Sequence, residues 1–196
     1  MTDAPRQQVS FDSEPLILVD ENDQQIGHMA KREAHRGHGT LHRAFSVFLF
    51  DERNRLLLQQ RSAAKPLWPL YWSNSCCSHP RRGEDMNSAT HRRVREELGV
   101  EAPLQYVYKF IYQADFGDVG AEHELCHVFI GQVEDPRIQV HPDEIAGWRW
   151  VEFDQVAELL DKGPEPCTPW FRMEWKALTG QWRDHLDRLL SRGVGV

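Results

Sequence analysis

At 196 residues, 40% hydrophobic and 27% charged, the chain has the length and composition of one globular domain, which excludes a disordered polymer. Its net charge of −7 excludes a general nucleic-acid binder, so an anionic ligand would need basic residues gathered locally. No stretch approaches the roughly 20 apolar residues of a membrane span, and the opening MTDAPRQQVSFDSEP has no apolar signal core, so a cytoplasmic protein is expected.

In chain order, residues 1–14 read as a loose leader to one domain covering 15–190. LILVD (16–20), AFSVFLF (44–50) and RLLLQQR (55–61) read as strands, the last two joined by DERN, a polar turn suited to a hairpin. A helix is predicted from Met86 to Leu98, with Thr90, Val94 and Leu98 on one face and Gly99 as its stop. YVYKFIYQ (106–113), LCHVFIGQV (125–133) and WRWV (148–151) read as further strands, rich in β-branched and aromatic residues. A second helix is placed after Asp154 as N-cap and runs to Gly163-Pro164. A third starts at Thr168-Pro169, cap then proline, and reaches Gly180, with the amphipathic WRDHLDRLL beyond it and a frayed tail at 191–196. Strands interspersed with helices predict an α+β domain, a mixed sheet with helices on its faces.

The cysteines stand at 76, 77, 126 and 167 with no Cys-x-x-Cys pair, which reads as reduced thiols. Three short clusters hold groups able to do chemistry. His35 and His42 bracket a histidine-rich loop leading into a strand; SNSCCSHP (73–80) contains Cys77 and His79; Glu122-His123-Glu124 opens another strand. Imidazole and carboxylate together suit Mn²⁺, Zn²⁺ or Fe²⁺ better than a pure carboxylate site would. Alternation along a strand sends Glu122 and Glu124 to one face and His123 to the other. Composition and spacing carry the reading no further.

The stretch from Ser78 to Val100 resembles the Nudix box, with Glu84, Arg92, Glu96, Glu97 and Gly99 at matching places. Two positions depart: Ser78 replaces the opening glycine, and Arg93 replaces the glutamate that should follow Arg92. Those departures, with WSNSCCSHP before the box, LHRAFSVFLF, Lys65 and Trp68-Pro69, the Glu122-x-Glu124 pair and CTPW, resemble the type 1 isopentenyl-diphosphate isomerases of the Nudix superfamily, from about Leu16 to Trp170.

The resemblance implies a single-domain Nudix fold, a mixed sheet sandwiched between helices, that isomerises isopentenyl diphosphate to dimethylallyl diphosphate as a monomer in the cytoplasm. It implies a transition-metal site, for Mn²⁺ or Zn²⁺, at His35, His42, His79, Glu122 and Glu124. A second ion, Mg²⁺, would ride with the diphosphate on Glu97, and neither flavin nor nicotinamide is expected. The diphosphate-binding cations map to Lys31, Arg61, Lys65 and Arg93. Cys77 and Glu124 match the acid and base, Tyr112 the active-site tyrosine, and Trp170 the aromatic face that tolerates a carbocation. Cys76, beside Cys77 but facing the other way if the segment is extended, reads as a small buried hydrophobe.

Overall fold

The computed structural model describes residues 9–134 and 137–192, apart from the side chain of Arg192. Its centre is strand β3 (His42–Phe50), which has apolar residues on both faces and is therefore buried on both. Phe45, Val47 and Leu49 point into one apolar cluster, and Phe48 and Phe50 into another. Each fully buried phenylalanine or leucine contributes about 1.5–3 kcal/mol, so alternation along this one strand supplies two cores.

Around β3 the sheet is built from β1 (Pro15–Val19), β2 (Gln25–Ala30), β4 (Leu56–Arg61), β5 (Trp72–Ser73), β6 (Cys76–Ser78), β7 (Leu104–Phe116), β8 (Gly120–Gln132) and β9 (Ile145–Val151). β8 runs parallel to β3 over its whole length, His42 opposite Glu124 and Phe50 opposite Gln132. β7 and β8 form a long antiparallel hairpin that sets Tyr112 opposite Glu124 and Ala114 opposite Glu122. One cluster is covered by helix α2 (Met86–Leu98) through Ala89, Val94 and Leu98. The other is covered by α3 (Phe153–Lys162), α4 (Pro169–Thr179) and α5 (Arg183–Arg192), through Val156, Phe171, Trp175, Leu178 and Leu186. The expected mixed sheet between helices is the fold that forms.

The structure departs from the sequence reading in several places. The DERN turn forms, with Asp51 accepting from the amides of Arg53 and Arg55, but β3 and β4 pair only at Phe50 and Leu56. They splay because β6 takes the place beside β3, and the Ser75 hydroxyl bridges the gap by accepting from Leu49 and donating to Leu57. Helix α3 is capped at Glu152, which puts Asp154 in its first turn. Thr168 has the extended backbone of an N-cap, yet its hydroxyl is 2.9 Å from Ser73 Oγ and not on a helix amide. Strands β2, β5 and β6 and the one-turn helix α1 (Lys31–Ala34) carry too little periodicity to be predicted.

Of the segment read as a loose leader, residues 9–14 are packed. Val9 is buried, its carbonyl accepts from Arg93 at 2.7 Å, and the Glu14 and Asp12 carbonyls take the amides of Lys31 and Arg32. Residues 1–8 lie outside the described part. At the other end, Ser191 and Arg192 complete α5, and 193–196 are likewise not described. Among the described residues no helix is long and apolar enough to cross a membrane.

Candidate active site

Strand register assembles the site. His42 opens β3, Glu124 lies opposite it on β8, and Tyr112 lies opposite Glu124 on β7. Glu122, two residues before Glu124, shares its face, while His123 turns away and reaches toward the Gly39 carbonyl. His79 follows β6, and His35 follows α1, where its carbonyl accepts from Ala121. That contact needs glycine next door: a Cβ on Gly120 would stand 2.4 Å from the His35 oxygen.

The three imidazoles and two carboxylates expected to converge do so, with one ligand atom from each lying within 4.8 Å of all the others. His35 Nε2 is 2.8 Å from Glu122, and His79 Nε2 is 3.0 Å from Glu124. His42, fully buried, holds its Nε2 3.2 Å from that of His79. The tautomers of two rings follow from their neighbours. His35 Nδ1 donates to the Lys31 carbonyl at 2.6 Å and His42 Nδ1 to the Thr40 carbonyl at 2.7 Å, and a carbonyl can only accept. A proton on either Nε2 would answer the adjacent carboxylate, and against burial Glu122 holds His35 above the usual imidazole range; without those protons the Nε2 lone pairs are bare and face the carboxylates. Bare nitrogens and ionised oxygens repel, and a divalent cation among them removes the conflict. The donor set therefore fits a metal ion.

Burial and the nearby His42, Lys31 and His35 push His79 well below the usual imidazole range, which keeps it neutral. Burial opposes charge on Glu124 as well, but the hydrogen bond and charge of His42 and the Tyr112 hydroxyl, 2.8 Å away, hold it below the usual carboxylate range. Tyr112 itself is pushed well above the usual phenol range by burial and by Glu124, so it serves as a donor.

His35, His79, Glu122, Glu124 and Tyr112 line a cavity of about 1040 Å³ together with Cys77, Trp170, Lys31, Arg61, Lys65 and Arg93, with His42 buried behind them. Cys76 and Cys77 separate as alternation requires: Cys76 is buried in the apolar cluster under α2, and Cys77 faces the cavity. The Cys77 thiol donates to Asn74 Oδ1 at 2.9 Å, and Asn74 is oriented by giving its amide hydrogens to the Val47 and Cys76 carbonyls. Burial, with Glu174 next, pushes that thiol up to about 12. Trp170 is fixed by an Nε1 bond to Ser73 at 3.0 Å and an edge contact with Trp68, and the Arg61 guanidinium lies 5.3 Å from its ring centre. Arg61 also donates to the Trp68 and Leu67 carbonyls, so it braces this wall.

At the mouth, Lys31 donates to Ser10, and burial and Lys65 bring its ammonium down to about 8. Lys65 and Arg93 share Glu144, which they draw down to about 2 against the effect of burial. Glu97 is the expected ligand that the fold brings neither into the histidine–glutamate cluster nor to the cavity wall. It is 2% exposed, accepts from Arg93 at 2.5 Å and stands behind that guanidinium. Its charge is spent on Arg93, so in this arrangement it does not fit a ligand for an ion carried by a diphosphate. Glu84, in the turn before α2, and Glu96 on α2 are engaged in the same way by Arg92.

Arg93 thus neutralises two buried carboxylates. Arg93→Ala leaves Glu97 and Glu144 without it, a change that costs about 3–5 kcal/mol for a buried pair. The urea midpoint should fall accordingly, and a loss under about 1 kcal/mol would show that these charges are relieved by other means.

The sequence reading missed Glu144, the Ser73–Asn74–Thr168 hydrogen bonds that seat Cys77 and Trp170, and Glu174. The HPDE stretch around Glu144 has no periodicity to mark it. Glu174 did carry a signal, since it sits among Trp170, Phe171, Trp175 and Leu178 on the buried face of α4.

The NUDIX domain family model matches residues 40–171. A crystal structure from Deinococcus radiodurans superimposes with a TM-score of 0.64 at 22% identity, covering 90% of this chain and 99% of that one, and shares the fold. The chain is a Nudix protein. It is 43% identical over 179 residues to "Isopentenyl-diphosphate Delta-isomerase 1" of Photorhabdus laumondii, covering 90% of this chain and 99% of the relative. It is 42% identical to the isopentenyl-diphosphate Delta-isomerase of Serratia proteamaculans and 43% identical to that of Nocardia farcinica, covering 98% and 99% of those chains and 91% and 89% of this one. Within the Nudix superfamily the chain belongs to the isopentenyl-diphosphate Delta-isomerases.

Proposed function

We propose that this chain converts isopentenyl diphosphate to dimethylallyl diphosphate by adding a proton at the terminal alkene carbon and removing one from C2. The observation that supports this most is the meeting of Cys77 with the Tyr112–Glu124 pair in one cavity whose lining also carries Lys31, Arg61, Lys65 and Arg93. Protonating an unactivated alkene makes a tertiary carbocation, so the site needs a proton donor, a proton acceptor and exclusion of water. Cys77 and Glu124 share the two proton transfers, Tyr112 holds the Glu124 carboxylate, and the indole of Trp170 stabilises positive charge beside it. Lys31, Arg61, Lys65 and Arg93 bind the diphosphate; arginine offers a planar fork of donors and lysine a point charge.

His35, His42, His79, Glu122 and Glu124 would hold a transition ion, Mn²⁺ or Zn²⁺, which when bound favours the charged form of Glu124 and fixes it against the cavity wall. The family resemblance also calls for Mg²⁺ with the diphosphate, but Glu97 as placed is buried, pairs through Oε1 with Arg93 and does not line the cavity.

The rival activity on this fold, diphosphate hydrolysis, needs free carboxylates in the box, and Arg92 and Arg93 occupy Glu84, Glu96 and Glu97. The deciding experiment offers isopentenyl diphosphate and a nucleoside diphosphate conjugate in parallel, before and after chelation, with metals restored one at a time. Dimethylallyl product that disappears on chelation and returns with Mn²⁺ or Zn²⁺ is expected. Phosphate release without isomerisation would overturn the proposal.

A further inference from the structure

Cys77 on β6 and Trp170 on the first turn of α4 are far apart in sequence, yet they hang from the same buried hydrogen bonds. Trp170 Nε1 donates to Ser73 Oγ at 3.0 Å, the Thr168 hydroxyl lies 2.9 Å from that same oxygen, and Ser73 Oγ lies 3.0 Å from Asn74 Oδ1. The Cys77 thiol meets Asn74 Oδ1 as well, at 2.9 Å. Asn74 and Thr168 have no exposed surface and Ser73 is 1% exposed, so these polar groups depend on one another for partners.

Counting hydrogens gives each of these bonds a direction. Asn74 Nδ2 reaches the Val47 and Cys76 carbonyls, each at 3.2 Å, which only the nitrogen of the amide can do, so its oxygen is the atom turned toward Ser73 and Cys77. That oxygen only accepts. Ser73 therefore gives it its single hydrogen, and Cys77 gives it the thiol hydrogen. With its own hydrogen placed, Ser73 accepts from both the Trp170 indole and the Thr168 hydroxyl. Two one-way chains, one from the indole through Ser73 and one from the thiol, end on a single oxygen.

Thr168 shows that the arrangement is kept against a local preference. It has the extended backbone of an N-cap and a side chain that caps well, yet its hydroxyl makes no bond to an α4 amide. Its main chain ties the helix start to the strand that carries Ser73: Thr168 N donates to the Trp72 carbonyl, and Trp72 N to that of Pro166, each at 2.9 Å. A local rule broken in favour of a buried partner is what a working site shows.

We propose that Ser73 is a positioning residue for the reaction: through its hydroxyl and Asn74 it sets the Trp170 indole and the Cys77 thiol in one fixed relation to each other. This rests on the isomerase reading, in which both groups meet the substrate. A carbon that exchanges a proton at one group while its positive charge lies against the other needs both in register at the same moment. A misplacement of about 1 Å can cost about 10²-fold in rate. Ser73 itself touches neither substrate nor metal ligand in this scheme; it acts only through Trp170 and Asn74.

Ser73→Ala leaves the indole hydrogen without its acceptor and Asn74 with one donor fewer. It should lower kcat about tenfold, the scale of one or two hydrogen bonds, and change KM by less than about twofold. KM is spared because Lys31, Arg61, Lys65 and Arg93 all bond to other groups. Thr168→Val, a milder change should Ser73→Ala not fold, removes only one donor to Ser73 and should lower kcat about threefold. Thr168→Ser, which keeps the hydroxyl, should recover most of that loss. Infrared spectroscopy of the thiol needs no turnover and separates failure of this proposal from failure of the isomerase reading. The S–H stretching band that Cys77→Ala removes should shift in Ser73→Ala, because Asn74 Oδ1 is then left to Cys77 alone. A shifted band in a parent that does not isomerise would put the fault in the isomerase reading. Full kcat in Ser73→Ala, a rise in KM with kcat unchanged, equal losses in Thr168→Val and Thr168→Ser, or a thiol band that stays in place would each overturn the proposal.

Discussion

Cys77→Ala should reduce isomerase turnover by about 10²–10⁴-fold, the contribution of a positioned acid or base, while Cys76→Ala keeps most of it. The two sulfurs are neighbours in sequence but face opposite sides of β6. Cys77 lines the cavity with its thiol on Asn74, and Cys76 is packed under α2 with Ala89 and Val94. Removing Cys76 Sγ deletes one small buried group and should cost about 1 kcal/mol or slightly more in stability. Steady-state kinetics on both variants, with circular dichroism melts as a control for folding, separates the two effects. Similar loss of turnover from both, with both folded, would mean that the choice of cysteine is mistaken.

His42→Ala should weaken binding of the transition ion at least about 100-fold, since even partners outside the ligand set cost 10–100-fold when removed. His42 is the ligand with the least freedom: fully buried, held by the Thr40 carbonyl, and fixed at the first residue of β3 opposite Glu124. Elemental analysis after gel filtration in metal-free buffer reads the outcome directly. The variant should come through without bound metal where the parent retains it. Full occupancy in the variant would mean that the cluster does not bind through this nitrogen.

How far such expectations could be read from the chain depends on whether the interactions behind them are local. Helix α2 was legible from its apolar face and from Gly99, which adopts the left-handed conformation that ends it, while the structure adds Asp85, accepting from the Ser88 amide, as its cap. Those contacts span three or four residues, and the residue types that make them are few. The shared face of Glu122 and Glu124, and the opposite facings of Cys76 and Cys77, follow in the same way from the two-residue period of a strand. Which ligands belong together was legible only through family resemblance, since nothing within the segments 35–42, 73–80 and 122–124 refers to the others.

The sequence by itself determined the longer strands and the helices α2, α3 and α4, the alternation of β3 that yields two cores, and the arginine at 93, where the box it resembles has a glutamate. Tertiary structure decided where charges are spent. Glu97 and Arg93 lie one helical turn apart, so their pairing was sterically available from the start, but the burial that makes it obligatory comes from β6, the 141–144 loop and residues 9–14 closing over them. The same holds for Thr168, whose hydroxyl leaves its helix for Ser73, and for Glu174, whose neutral state depends on a pocket made by β3, β6 and β8. A charge or a hydroxyl takes its partner and its protonation from whatever excludes water around it, and only the folded chain brings those surroundings together.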